Sequence, residues 1–267
     1  MIPKIDPYLL LEQTARNRSG IKLLNVYKGL PVSYDVSIHS IGNSEIQVHS
    51  NRHQLACLYY QRETYLQGEE LPFILRSQVM SLHLGKENAV LANLEMAPNS
   101  IGNRSQIRVE PDEPLLAGIQ FDGSSSEFFV PVADISAEGA GVYFEHYVFP
   151  ARSCQPGNEI SMSLWLPDNI SSKRKRLPTK PLIESRNSRS FSRPELPKGQ
   201  DGKVVLTTKG KVVSVRPEFH SNRYRIGLKL FFKDLSRTVI LHYISQRQSE
   251  IIRDLSMLTD ELYSRKK

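Results

Sequence analysis

Two short runs carry residue types suited to holding a compact anionic ligand. Arg104 and Arg108 stand four apart in Arg104-Ser105-Gln106-Ile107-Arg108, and Asp134, Ser136 and Gly139 form an Asp-x-Ser-x-x-Gly run about 30 residues later. Residues four apart share a face of an extended segment and of a helix, so the two guanidinium groups converge in either conformation. Guanidinium is permanently charged, forks onto phosphate oxygens, stacks on flat π-systems and matches the O6 and N7 edge of guanine. Asp134 can accept from the N1 and N2 groups on the other guanine edge, and Ser136 can donate or accept beside it. Gly139 permits a sharp turn and a close backbone approach. Together these groups suit an anionic guanine nucleotide. They also fit a plainer reading, in which Asp134 and Ser136 form an Asx or Ser turn with Gly139 as its left-handed residue. Arg104 and Arg108 would then be solvated hinge residues.

Signals of catalysis are missing. The chain has no Gly-x-Ser-x-Gly elbow, no phosphate-binding glycine loop before a helix and no His-Glu-x-x-His. Only His49 and His53 stand four apart, and Ser50-Asn51-Arg52 between them reads as a turn, which argues against a helical metal pair. Cys57 and Cys154 belong to no Cys-x-x-Cys pair, so neither a disulfide framework nor a structural zinc site is expected. The reading is of a binding protein, not an enzyme, with no metal.

At 267 residues the chain has room for one large domain or two ordinary ones, and 39% hydrophobic with 24% charged residues is a globular composition. No run approaches the roughly 18 apolar residues of a membrane span. The first residues lack the charged start, apolar run and cleavage site of a secretory signal, so the expected location is the cytoplasm. A net charge of +7 suggests nucleic acid until it is located. Nine of the 35 basic residues lie between 173 and 198 against two of the 28 acidic ones, which leaves 26 of each elsewhere. The whole excess therefore sits in residues 173–198, within a proline- and serine-rich stretch, 167–202, that reads as a long, mobile basic loop. It is either a solvated insertion or an electrostatic contact with an acidic partner, anionic lipid or nucleic acid.

The elements that must position the two runs read mostly as short strands. In the first part these are residues 32–41, 45–49, 54–60, 72–76, 79–84 and 89–96, preceded by a helical turn or two over 7–16. After a polar hinge come strands near 113–121, 127–132, 139–146, 159–166, 203–215 and 223–232. Closely spaced strands of this kind suggest antiparallel barrels or sandwiches. Residues 237–265 read as a C-terminal helix with an apolar stripe at Leu241, Ile244, Gln248, Ile251, Leu255, Leu258 and Leu262. That stripe suits packing against its own barrel or a homodimer seam.

At the paired motifs the chain resembles the PilZ family, bacterial receptors for the second messenger cyclic di-GMP. The family signature, Arg-x-x-x-Arg followed by Asp/Asn-x-Ser-x-x-Gly, is matched by Arg104, Arg108, Asp134, Ser136 and Gly139. Gly210-Lys211-Val212-Val213 and Tyr224-Arg225-Ile226-Gly227-Leu228-Lys229-Leu230-Phe231 look like the late strands of the PilZ barrel. Tyr243 to Arg253 looks like its closing helix, and the likeness covers about residues 100 to 255. Residues 1–97 look like the smaller barrel that precedes PilZ in YcgR-type proteins, a split-barrel relative of flavin-binding folds, with no flavin implied.

The resemblance implies an all-β chain of two antiparallel barrels in tandem with a C-terminal α-helix. Its domains would be residues 1–97 and 98–267, with a ligand-binding hinge at 98–108. It implies that Arg104 and Arg108 hold phosphates and guanine faces, that Asp134 and Ser136 read a guanine edge and that Gly139 shapes the turn. Asn103 and Gly141 join them as ligand-binding positions. Many relatives carry an arginine where this chain has Asn103, a position that influences whether one ligand or an intercalated pair is held. Ligand binding would reset the two domains, and a protein partner such as a flagellar motor component would read the change. The implied setting is cytoplasmic, at the flagellar basal body, in control of motility or of surface behaviour such as biofilm formation. No cofactor is implied besides the ligand. Two other readings remain open: a PilZ-like adaptor that binds no nucleotide, and a basic nucleic-acid-binding protein, against which the neutral remainder of the chain argues.

Overall fold

The computed structural model describes residues 6–17, 19–97, 106–167, 204–218 and 221–264. Asn103, Arg104 and nearly all of the expected basic loop lie outside the described residues. By internal contacts the chain forms two units, Met1–Val109 with Gln248–Lys267, and Glu110–Arg247.

The first unit opens with α1 (Pro7–Arg16), which starts where Asp6 accepts a hydrogen bond from the Tyr8 N–H at 2.9 Å and proline takes the first turn. Then follow β1 (Ile21–Tyr27), β2 (Leu30–Ile41), β3 (Glu45–His49), α2 (Arg52–Gln61), β4 (Glu63–Gly68), β5 (Leu75–His83) and β6 (Asn88–Met96). The strands close into an antiparallel barrel in the order β1-β2-β3-β6-β5-β4. Lys28 and Gly29, both at positive φ, make the two-residue hairpin turn between Tyr27 and Leu30. Leu11, Leu23, Ile46, Leu55, Leu66, Leu75 and Leu91 fill the core.

Several expected elements differ here. Residues 54–60 form most of α2, not a strand. Asn51 caps that helix by accepting from the His53 N–H at 2.8 Å, and Arg62 ends it in the left-handed conformation. A short continuous apolar run has no period that separates helix from strand, and Gln54 to Leu58 are all buried. The runs at 72–76 and 79–84 merge into β5, and β1 and β4 are strands the sequence reading missed.

The second unit contains β8 (Leu116–Phe121), β9 (Glu127–Ser136), β10 (Gly139–Glu145), β11 (Glu159–Leu166), β12 (Val204–Glu218) and β13 (Arg223–Leu230); a two-residue strand, β7 (Arg108–Val109), precedes them. These six close a second barrel in the order β8-β9-β10-β13-β12-β11. Both barrels thus use one plan, in which the first three strands run in sequence and the next three return in reverse. The expected fold, two six-stranded antiparallel barrels and a C-terminal helix, is the fold observed. In β11 the alternation places Ile160, Met162, Leu164 and Leu166 inward.

The C-terminal helix, α3 (Asp234–Ser264), starts three residues before its expected position. Its buried stripe is Ile240, Tyr243, Ile244, Arg247, Ile251, Leu255 and Thr259, whereas Leu241 is exposed. Arg247 is buried in place of Gln248, and it donates from Nε to the Glu110 carbonyl at 2.8 Å while facing Asp112 at 3.1 Å. Within the first unit, Lys28 pairs with Asp254 at 2.6 Å, and Leu262 and Tyr263 pack on the barrel core. No helix among the described residues is long and apolar enough to cross a membrane.

Candidate functional site

The hairpin of β9 and β10 carries the Asp-x-Ser-x-x-Gly run, and a change of register decides where its side chains point. Val130 and Val132 face the core, so strict alternation would send Asp134 inward as well. Instead Asp134 pairs with Gly141 and Val132 with Val142, so Ala133 is an extra residue in β9. The bulge reverses the alternation: Ile135 is fully buried in the core, and Asp134 and Ser136 turn to the opposite face.

Across that face the pairing sets out rows of residues. Asp134, Gly141, Gly227 and Ser214 stand side by side on β9, β10, β13 and β12. At ordinary strand spacing the row is about 14 Å long, and its two central positions have no side chain. The next row holds Tyr143, Arg225 and Arg216, and the one after it Glu145, Arg223 and Glu218.

The two glycines of the row are sterically required. A Cβ on Gly141 would lie 2.9 Å from Asp134 Oδ2, and one on Gly227 would lie 2.5 Å from Ser214 Oγ. The gap at Gly141 lets the Asp134 carboxylate lie across β10 and reach β13, where its Oδ2 accepts a hydrogen bond from the Arg225 guanidinium. Asp134 is 2% exposed, while the Arg225 side chain is 39% exposed. Burial works against the Arg225 charge, but the Asp134 carboxylate more than offsets it and raises the guanidinium pKa above its usual value. The Arg225 guanidinium lies 5.9 Å from the centre of the Tyr143 ring, as does that of Arg223, which also pairs with Glu145 at 2.8 Å. Burial, foremost, raises the Tyr143 phenol.

Ser136 donates to the Gly139 carbonyl at 3.2 Å. Gly139 is not the left-handed residue of the plainer turn reading, since the positive-φ glycines among the described residues are Gly29, Gly123 and Gly157. It is a strand residue of β10, needed because a Cβ there would fall 2.4 Å from the Leu228 carbonyl oxygen. Beyond the turn, Glu138, Lys229, Lys233 and Arg237 border a shallow hollow.

The structure thus brings Asp134, Ser136, Gly139 and Gly141 together on one hairpin. Arg108 lies half-buried in β7 and groups with the first unit, and Asn103 and Arg104 are not described. Arg225, Gly227 and Ser214 were missed as site residues. The available signal was Gly227 in mid-strand with an arginine two positions earlier on the same face. Among the described residues no three His, Cys, Asp or Glu side chains cluster as metal ligands. Cys57 and Cys154 are buried free thiols, each pushed up to about 12 by burial and therefore poor nucleophiles.

No family model matches the sequence, and no curated protein matches it. Among solved structures, the chain is similar to MrkH of K. pneumonia in its complex with c-di-GMP, at 10% identity and a TM-score of 0.42 over 92% of this chain and 94% of that one. It is similar to the Bacillus subtilis inhibitor of motility (MotI/DgrA), at 17% identity and a TM-score of 0.40 over 87% and 96%. The third is YcgR of Escherichia coli in complex with c-di-GMP, at 10% identity and a TM-score of 0.38 over 94% and 93%.

Proposed function

We propose that the chain is a receptor for cyclic di-GMP. The position of Asp134 supports this most directly. A bulge turns its carboxylate out of the core, and Gly141 clears its path over the neighbouring strand. A carboxylate so held accepts two parallel N–H donors, which is what the N1 and N2 edge of guanine offers and what adenine lacks. The glycine row beside it is a flat floor on which a base can lie. Arg216 lines one side of that floor with positive charge suited to phosphate. Arg104 and Arg108 supply the remaining guanidinium groups, for phosphates and guanine faces. A ligand held both by residues 98–108 and by the second barrel restricts the chain where its two units join. A protein partner, such as a flagellar motor component, reads the result and alters motility or surface behaviour.

A second reading is an adaptor that acts through protein contacts without a nucleotide. It draws support from Arg225, which gives Asp134 a partner within the chain.

Calorimetric titration with cyclic di-GMP separates the two. The receptor reading expects micromolar or tighter binding by the wild type, loss of binding in Arg108→Ala and no heat with GTP. Absence of heat and of any thermal shift at high cyclic di-GMP would overturn it in favour of the adaptor.

A further inference from the structure

The Arg225–Asp134 pair lies where the proposed ligand must act, and its chemistry duplicates that of the ligand. A guanidinium presents two coplanar N–H donors in a fork, and so does the N1 and N2 edge of guanine. Both are complementary to the same carboxylate. Asp134 is 2% exposed with Arg225 against its Oδ2, so a planar base cannot reach that oxygen while the guanidinium keeps its place. Arg225 is the more exposed member of the pair. Its side chain is 39% exposed, its long stem is flexible and the Tyr143 face lies 5.9 Å from its guanidinium.

From this geometry we infer that Arg225 is a built-in competitor for the guanine edge: ligand binding exchanges one forked donor for another at Asp134. The inference rests on the reading of this face as a cyclic di-GMP site. It assigns Arg225 a role in affinity and selectivity that the paired motifs do not contain. A ligand that evicts the guanidinium must supply N–H donors in its place, because weakening the pairing of a buried carboxylate is costly. Guanine meets that condition, whereas adenine offers an acceptor at N1. Arg225 therefore lowers the affinity for every ligand and leaves only those with a guanine-type edge able to compensate.

The test is a double-mutant cycle in the full chain, read by cyclic di-GMP calorimetry. Arg225→Gln raises the free energy of the protein by weakening the internal partner of Asp134, and the ligand relieves that cost. The expected result is about tenfold tighter binding than wild type. In an Asp134→Asn background, the same substitution is expected to change affinity less than twofold. Arg225→Lys keeps the charge without the fork and covers the case in which Arg225→Gln fails to fold; about threefold tightening is expected. Weaker or unchanged binding in the position-225 variants, with normal binding by the wild type, would overturn the competitor role and leave the receptor reading intact. Absence of binding by the wild type would overturn the receptor reading and this inference with it.

Discussion

The two barrels share one strand order but place their polar groups on opposite faces. In the first barrel the notable polar groups are neutral and point inward. Asn25, fully buried, donates to Gln61 and to the Glu63 carbonyl at 2.7 Å each and accepts from Gln54 at 2.6 Å and Thr64 at 2.8 Å. Helix α2, inserted between the third and fourth strands, supplies Gln54 and Gln61 to this network. In the second barrel the corresponding stretch, between β10 and β11, holds only a short helical turn at His146–Val148. Its notable polar groups are charged, and they lie on the face turned away from the core. A neutral network sealed inside a barrel fixes a structure, whereas a charged pair with one half-exposed member can be exchanged for a ligand.

The glycines divide the same way. Strands β1 to β6 contain one glycine, Gly68, at the end of β4; strands β8 to β13 contain Gly118, Gly139, Gly141, Gly210 and Gly227. A mid-strand glycine costs about 0.5–1 kcal/mol relative to alanine, so the four of them in one barrel, Gly118, Gly141, Gly210 and Gly227, need a reason. At Gly141 and Gly227 the reason is space beside Asp134 and Ser214 on one outer row.

The contrast can be broken from either side. The largest stability effect is expected in the first barrel. Asn25→Ala leaves Gln54, Gln61 and Thr64 with lost partners in a buried site, at a cost of about 3 kcal/mol in denaturant unfolding. Cyclic di-GMP affinity of the folded variant should stay within twofold of wild type. Lost binding with the fold intact would show that the first barrel belongs to the site. In the second barrel, Gly141→Ala forces the carboxylate of Asp134 off Arg225, at a smaller cost of about 2 kcal/mol. Ligand affinity should nevertheless fall at least tenfold, and unaltered affinity in calorimetry would remove Gly141 from the site.

How much of this was legible follows from how local each feature is. Strand β3 and helix α1 were readable because alternation, a capping Asp6 and Pro7 act within a few residues. Helix α2 was not, because residues 54–58 are all buried and show no helical period, and its identity depends on the cap at Asn51 and on the network around Asn25. Asp134, Ser136 and Gly139 were legible as a motif, yet the bulge that turns them outward shows only as a three-residue step between Val132 and Ile135. The close backbone approach expected at Gly139 is to Leu228, on another strand that a local reading does not identify. Arg225 was beyond a local reading altogether, since its partner is 91 positions away and only barrel closure brings the two together.

The central claim is that the outer face of the second barrel, centred on Asp134, receives a guanine nucleotide. Amide chemical-shift mapping of the isotope-labelled protein during titration with cyclic di-GMP tests it most directly. The account predicts that the largest shifts fall at residues 134–143 and 223–229, with the strands of the first barrel, β1 to β6, little changed. Largest shifts within β1 to β6, with residues 134–143 unmoved, would contradict it.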